Sequence, residues 1–343
     1  MVRPAKRSRR VSCSRSGWTL IRTAVLRVTP LPSRAEGAAI ALPGRRNLRE
    51  MPGPKSRTCS GLRAVSDLFT RGTFRALAAP HDGARGWIRS LDALIAEIPD
   101  GATLGYAFDR AFERISREYR SEYVFKNSIV DRLVFGRHSP RTAAPLLELG
   151  AGKSIVDVAV FNGTSTAYEI KTELDDFSRL LPQLRSYEQR FERVAVVTSP
   201  RLSHRVLDAV PDHIGVIALS NRGSLSELRA PTSGIGRLTR TGLFGLLRLS
   251  EALDILHRTH NYEIDVPRAQ LWQRTRELFL ELSTEVAHAE AVSQLRARGM
   301  RAAGLAISMP RSLRAMAYEI PLNSCEARRV HDKLLLPAAA FVS

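Results

Sequence analysis

The sequence predicts an α/β fold flanked by helices, and three observations predict it. Residues 144–171 hold three short apolar runs, "LLELG", "SIVDVAVF" and "STAYEIK", separated by the turn signals "AGK" and "NGT". Downstream, the apolar runs "RVAVVTS" and "IGVIALS" alternate with helical patterns. On either side of this stretch the apolar spacing is helical only. The order helix, three strands, helix, strand, helix, strand defines an α/β unit.

The elements follow in order. Residues 1–57 carry fourteen Lys or Arg against Glu36 and Glu50, so +12 of the net +18 sits there, and the pI says little about the folded part. Pro, Ser and Arg recur there without helical or strand period, so 1–60 is expected to be a disordered basic segment. A nucleic-acid tail, a targeting peptide and a mis-assigned start with Met51 or a later codon as the true one all fit it. Residues 61–103 form a helical lead-in, with "SDLFTRGTFRALA" opening on a good N-cap and "WIRSLDALIAEI" repeating the apolar spacing. Residues 104–230 form the α/β domain. It opens on "LGYAFDRAFERISREYRSEYVFKNSIVDRLVFG", one long helix or two in series. After the three strands comes the helix "DDFSRLLPQLRSYEQRF", whose start Pro182 makes uncertain. "RVAVVTS", apolar on both faces, reads as a central strand, and "LSELRA" as an edge strand. Residues 231–343 form a helical C-terminal region, with Pro267 and Pro310 at first turns, packed on the α/β unit or forming a small domain of its own.

Composition excludes several classes. No run approaches the roughly 18 to 20 apolar residues of a membrane span. Cys13, Cys59 and Cys325 are odd in number and far apart, which argues against a disulfide framework or a structural zinc. A soluble cytoplasmic protein without membrane partners is expected.

The polar residues of the strand cluster carry the functional argument. Glu169 and Lys171, two apart, share one face of a strand, while Tyr168 and Ile170 share the other. Whether Asp157 joins them depends on the turn. A two-residue loop of Asn162 and Gly163 pairs Asp157 with Tyr168 and separates the carboxylates. A three-residue loop, Asn162-Gly163-Thr164, pairs Phe161 with Ser165 and Asp157 with Glu169, about 5 Å apart at the backbone. Two such carboxylates suit Mg²⁺ or Mn²⁺, and a lysine beside them neutralises charge developing on a phosphodiester. Glu148, on the preceding strand, adds a third acid if it shares the face.

Asp157 with "Glu169-Ile170-Lys171", followed by the helix bearing Gln183 and Tyr187, resembles the PD-(D/E)XK nuclease-like superfamily. Val156 stands where that motif has proline, and Gln183 with Tyr187 resembles the Q-x-x-x-Y element of its RecB-like branch. More narrowly, "YVFKNSIVDRLVFGRHS" and "STAYEIKTELDDFSRLLPQLRSYEQRFERVAVVT" resemble an uncharacterised bacterial family known only by a locus-tag name. The resemblance covers roughly residues 105–230 and implies a restriction-endonuclease-like core. It also implies a Mg²⁺- or Mn²⁺-dependent nuclease, with Asp157, Glu169, Lys171 and Gln183 catalytic and Asp157 and Glu169 holding the metal. Glu148, Tyr187 and Glu122 are candidate helpers. Glu122 lies one turn before Lys126 and Asn127, on the helix where this superfamily often has an acid. Arg137, His138 and Arg141, in the loop "GRHSPRT", are candidates for phosphate contact or turn stabilisation. The expected partner is nucleic acid, DNA rather than RNA, with a homodimer where both strands are cut. Two alternatives stand beside the nuclease. One is an inactive nucleic-acid-binding or interaction protein that keeps the fold, and the other an adaptor that binds through its C-terminal helices.

Overall fold

The computed structural model describes residues 55–80, 87–173 and 175–342. The expectation of a disordered tail therefore falls, up to residue 54, outside the described residues. Helix begins at Lys55, inside the 1–60 segment expected to lack structure.

Three helices lead in: α1 (Lys55–Ser66), α2 (Arg71–Ala78) and α3 (Ile88–Ile95). The long helical pattern that follows divides into two. α4 (Leu104–Glu118) starts where the Thr103 hydroxyl accepts the Tyr106 amide and buries Leu104, Ala107, Phe108, Ala111 and Ile115 along one stripe. α5 (Glu122–Ile129) runs without interruption into a wider π-helical stretch, Val130–Arg137.

Six strands form one sheet in the order β1 (Ala144–Ala151), β2 (Ser154–Phe161), β3 (Ser165–Lys171), β4 (Arg193–Thr198), β5 (Gly215–Leu219) and β6 (Leu225–Arg229). β1, β2 and β3 are antiparallel neighbours, β3 to β5 are parallel, and β6 returns antiparallel. The parallel pairs need crossovers, supplied by α6 (Leu180–Glu188) and α7 (Ser203–Ala209). A 3₁₀ turn at Phe177–Arg179 opens α6, so Pro182 falls at its third position and breaks no internal bond.

Both faces of the sheet are covered, which is why its central strands are apolar throughout. On one face Val158, Val160, Ile170, Val197 and Ile217 join Phe108, Phe125, Ile129 and residues of the C-terminal helices. On the other, Val156, Ala159, Phe161, Ala167 and Val196 meet Leu180, Leu184 and Tyr187 of α6.

The C-terminal region packs on the sheet rather than standing apart. It comprises α8 (Arg240–Phe244), α9 (Leu249–His260), α10 (Arg268–Phe279), α11 (Thr284–Met300), α12 (Ala303–Ser308), α13 (Arg314–Glu319) and α14 (Ser324–Leu335). Two stretches that read as single helices are broken. Gly245 to Arg248 separate α8 from α9, and Ser283 caps a new helix by accepting the Val286 amide. α11 covers the edge strand β1 at close range: a Cβ at Gly299 would sit 2.8 Å from both Ala144 Cβ and the Pro145 carbonyl oxygen. Arg329 and Lys333 of α14 donate to the carbonyls of Ala78 and Ala79, capping the end of α2.

Candidate functional site

β2 and β3 pair through Val158–Tyr168, Ala159–Ala167, Val160–Thr166 and Phe161–Ser165. The turn is thus the three-residue one, with Gly163 at φ 96°, a conformation that side chains rarely allow. This register sets Asp157 opposite Glu169, but the ladder ends one pair short. The Asp157 carboxylate itself takes the Ile170 amide, at 2.6 Å from Oδ2.

The β1 side shows the same interruption. Pairing runs through Leu147–Val158, skips Glu148 and Asp157, and resumes at Leu149–Val156. Glu148 has φ 51°, strained for a non-glycine residue. Val156 and Val158, although two apart, bury in opposite cores, so the alternation of β2 breaks at Asp157. Three adjacent strands therefore open at one level, and each brings an acid there: Glu148, Asp157 and Glu169.

Glu169 and Lys171 face α6, while Ile170 enters the opposite core and Tyr168 packs against it. Lys171 Nζ donates to Glu169 Oε1 at 2.8 Å and to Gln183 Oε1 at 3.2 Å. Tyr187, one turn beyond Gln183 on the same helix face, brings its hydroxyl 2.8 Å from Glu169 Oε2 and 2.6 Å from the Ile155 carbonyl oxygen, so its one proton is shared. Burial first, then the Glu169 charge, push the Tyr187 hydroxyl well above the ordinary tyrosine range. Glu169 is 2% exposed and Lys171 7%, so the two charges satisfy one another away from water.

The other group centres on Asp157. Among the described residues, ligand oxygens of Glu122, Glu148 and Asp157 lie within 4.8 Å of one another. α5 supplies Glu122 and, one turn later, Lys126, whose Nζ is 2.6 Å from Glu122 Oε1 and also pairs with Glu148. Burial alone would lower the Lys126 pKa, but hydrogen bonds and charge from these two acids outweigh it and raise it. Asp157 fares differently: burial, then the neighbouring Glu169 charge, push its carboxyl up to about 8 despite the Ile170 amide.

The sequence-derived residues thus separate into three sets. Asp157, Glu148 and Glu122 converge on one side, and Glu169, Lys171, Gln183 and Tyr187 on the other. The expected metal pair, Asp157 with Glu169, is flanked by both sets, but the converging donor set is Asp157 with Glu148 and Glu122, while Glu169 already accepts from Lys171 and Tyr187. Arg137, His138 and Arg141 are not brought to the acids. His138 Nε2 lies 3.0 Å from the Asn162 amide nitrogen, at the turn end of the hairpin, and Arg137 approaches Glu227 of β6. The Arg141 amide donates to the Ser139 hydroxyl, so turn stabilisation is the role their contacts support. Sequence reasoning gave Lys126 no role. The signal available was its i,i+4 spacing from Glu122.

Two clefts reach the acidic group. One, of about 890 Å³, is lined by Glu122, Thr172, Arg117, Arg120 and Arg201. The other, of about 620 Å³, lies between β1 and the C-terminal helices, with Glu148, Arg301 and Tyr318 in its wall.

Fold and site define an α/β protein whose mixed sheet opens around an acidic group. Residues 116–302, more than half of the chain and every site residue above, match the family described as Bacteriophage P4 protein cII, and the chain belongs to that family. Protein cII of Enterobacteria phage P4 is 31% identical over 104 residues, which cover 30% of this chain and 39% of that protein. The chain therefore spans well under half the length of the curated relative it matches. No solved structure matches. Among the described residues, no helix is long and apolar enough to cross a membrane.

Proposed function

We propose that the chain is a metal-dependent phosphodiester hydrolase with a PD-(D/E)XK nuclease-like core, acting on DNA. One observation carries the proposal: the three-residue turn sets Asp157 opposite Glu169 where the ladder opens, with Lys171, Gln183 and Tyr187 gathered on Glu169. The order of helix, three antiparallel strands, helix and parallel strand supports the same core.

The residues fit Mg²⁺ or Mn²⁺. The donor set is all oxygen, as hard divalent cations prefer. Asp157, Glu148 and Glu122 would hold the ion, with Glu169 at its edge. Bound there, it would supply Lewis-acid polarisation of the phosphoryl group. The protein's own part is positioning and charge. Lys171, held by Glu169 and Gln183, places a fixed cation next to the acids, where it stabilises negative charge building on phosphoryl oxygens. Arg117, Arg120 and Arg201 line the cleft by Glu122 together with Glu118, Glu173 and Asp175, so its charge is mixed.

A second reading is favoured by one specific feature. Each acid except Asp157 already has a lysine partner, so the site is largely neutralised from within. This fits a protein that keeps the fold for binding without turnover. A cleavage assay of the full chain on plasmid, linear, single-stranded and RNA substrates with Mg²⁺ or Mn²⁺ separates the two. The nuclease proposal expects metal-dependent DNA cleavage that Asp157→Asn abolishes. Mn²⁺ binding without cleavage of any substrate supports the second reading, and no Mn²⁺ binding removes the metal from both.

A further inference from the structure

Resting on the metal site just proposed, we infer that Lys126 is a built-in gate for it: its ammonium occupies the cation position between Glu122 and Glu148 and must give up these oxygens for a divalent ion to bind.

The geometry argues for displacement rather than coexistence. Three carboxylate oxygens lie within 4.8 Å of one another, and Lys126 holds the Glu122 and Glu148 carboxylates that contribute two of them. An ion coordinated by all three takes those same groups. A bound divalent ion and an ammonium at that distance also repel one another. Lys126 is 8% exposed, whereas the Glu122 side chain is 58% exposed, so the lysine is the inner member of the pair.

The surroundings are built for such an exchange. The strained backbone of Glu148 is fixed by regular ladder pairs on both sides, Leu147–Val158 and Leu149–Val156, and so keeps that carboxylate near Lys126. Glu122 borders the open cleft, which gives its pair with Lys126 room to swing outward. Asp157 accepts from the Ile170 amide and pairs with no lysine, so it has no ion pair to give up when an ion binds. Lys171 cannot substitute for Lys126, because it is held by Glu169 and Gln183 on the α6 side. The role is one of regulation: below a threshold of divalent ion the lysine keeps the acids paired.

Calorimetric Mn²⁺ titration of the full chain tests this, comparing wild type with Lys126→Met, Lys126→Gln and Lys126→Arg. Both neutral variants are expected to bind Mn²⁺ at least ~10-fold more tightly than wild type, while Lys126→Arg, which keeps the charge, stays near wild type. Their melting temperatures without metal should fall, and saturating Mn²⁺ should raise them by more than it raises wild type. The melting readout serves even if one neutral variant is only partly folded without metal. Wild-type binding with unchanged or weaker binding in both neutral variants overturns the gate and leaves the metal site standing. Absence of Mn²⁺ binding in wild type and all variants removes the metal site and the gate together.

Discussion

Replacing Lys171 by methionine tests the buried pair at the centre of the site. The substitution keeps most of the side-chain volume and removes the ammonium, so packing changes little. What changes is Glu169, 2% exposed, which loses the donor at 2.8 Å and keeps only a share of the Tyr187 proton. Removing one partner of a buried ion pair typically costs about 3–5 kcal/mol, because the remaining charge is stranded. For a folded unit of this size that corresponds to a fall in melting temperature of roughly 6–10 °C. Thermal unfolding measures it. The double variant Glu169→Gln/Lys171→Met should recover most of the loss, since no charge is then left behind. If Lys171→Met melts within a degree or two of wild type at pH 8, the charges are not held as described. In the nuclease reading the same variant also loses about 10² or more in cleavage rate.

Two further outcomes are expected. The Asp157 carboxyl sits at about 8 when folded and near its ordinary value when unfolded, so the folded form binds the extra proton between those limits. Its contribution to stability should be full below about pH 4 and be lost by roughly 1 kcal/mol per pH unit as pH rises towards 8. Asp157→Asn should flatten that dependence in pH-resolved melting, and an unchanged slope would disprove it. Gly299→Ala drives a Cβ into the Pro145 carbonyl at 2.8 Å and should cost about 1–3 kcal/mol, seen as a lower denaturation midpoint.

Much of this was legible in the sequence because it depends on local pattern. The β2–β3 register follows from the choice between two loop lengths, and Gly163 is the residue that makes the three-residue choice workable. Gln183 and Tyr187 were legible as an i,i+4 pair on the helix following the strand of Glu169. Placing Glu122 beside Asp157 depends on how α5 crosses the sheet, which no local spacing encodes. The lysine between Glu122 and Glu148 belongs to the same long-range geometry. The positive φ of Glu148 and the π-helical stretch after α5 run against residue preference and arise from packing. For the loop of Arg137, His138 and Arg141 the sequence left phosphate contact and turn stabilisation both open, and which contacts it makes depends on the hairpin end it meets in the fold.

The seam between α2 and α14 has a consequence for how the chain is made. The helices near residues 62–78 bury their apolar faces partly against residues 313–338, some 250 positions later, and the last turn of α2 receives its donors from Arg329 and Lys333. During synthesis the early helices therefore emerge from the ribosome long before their partners exist and must wait, unfinished, for α14. Until then the apolar faces of α1 and α2 that meet residues 313–338 stay open to water.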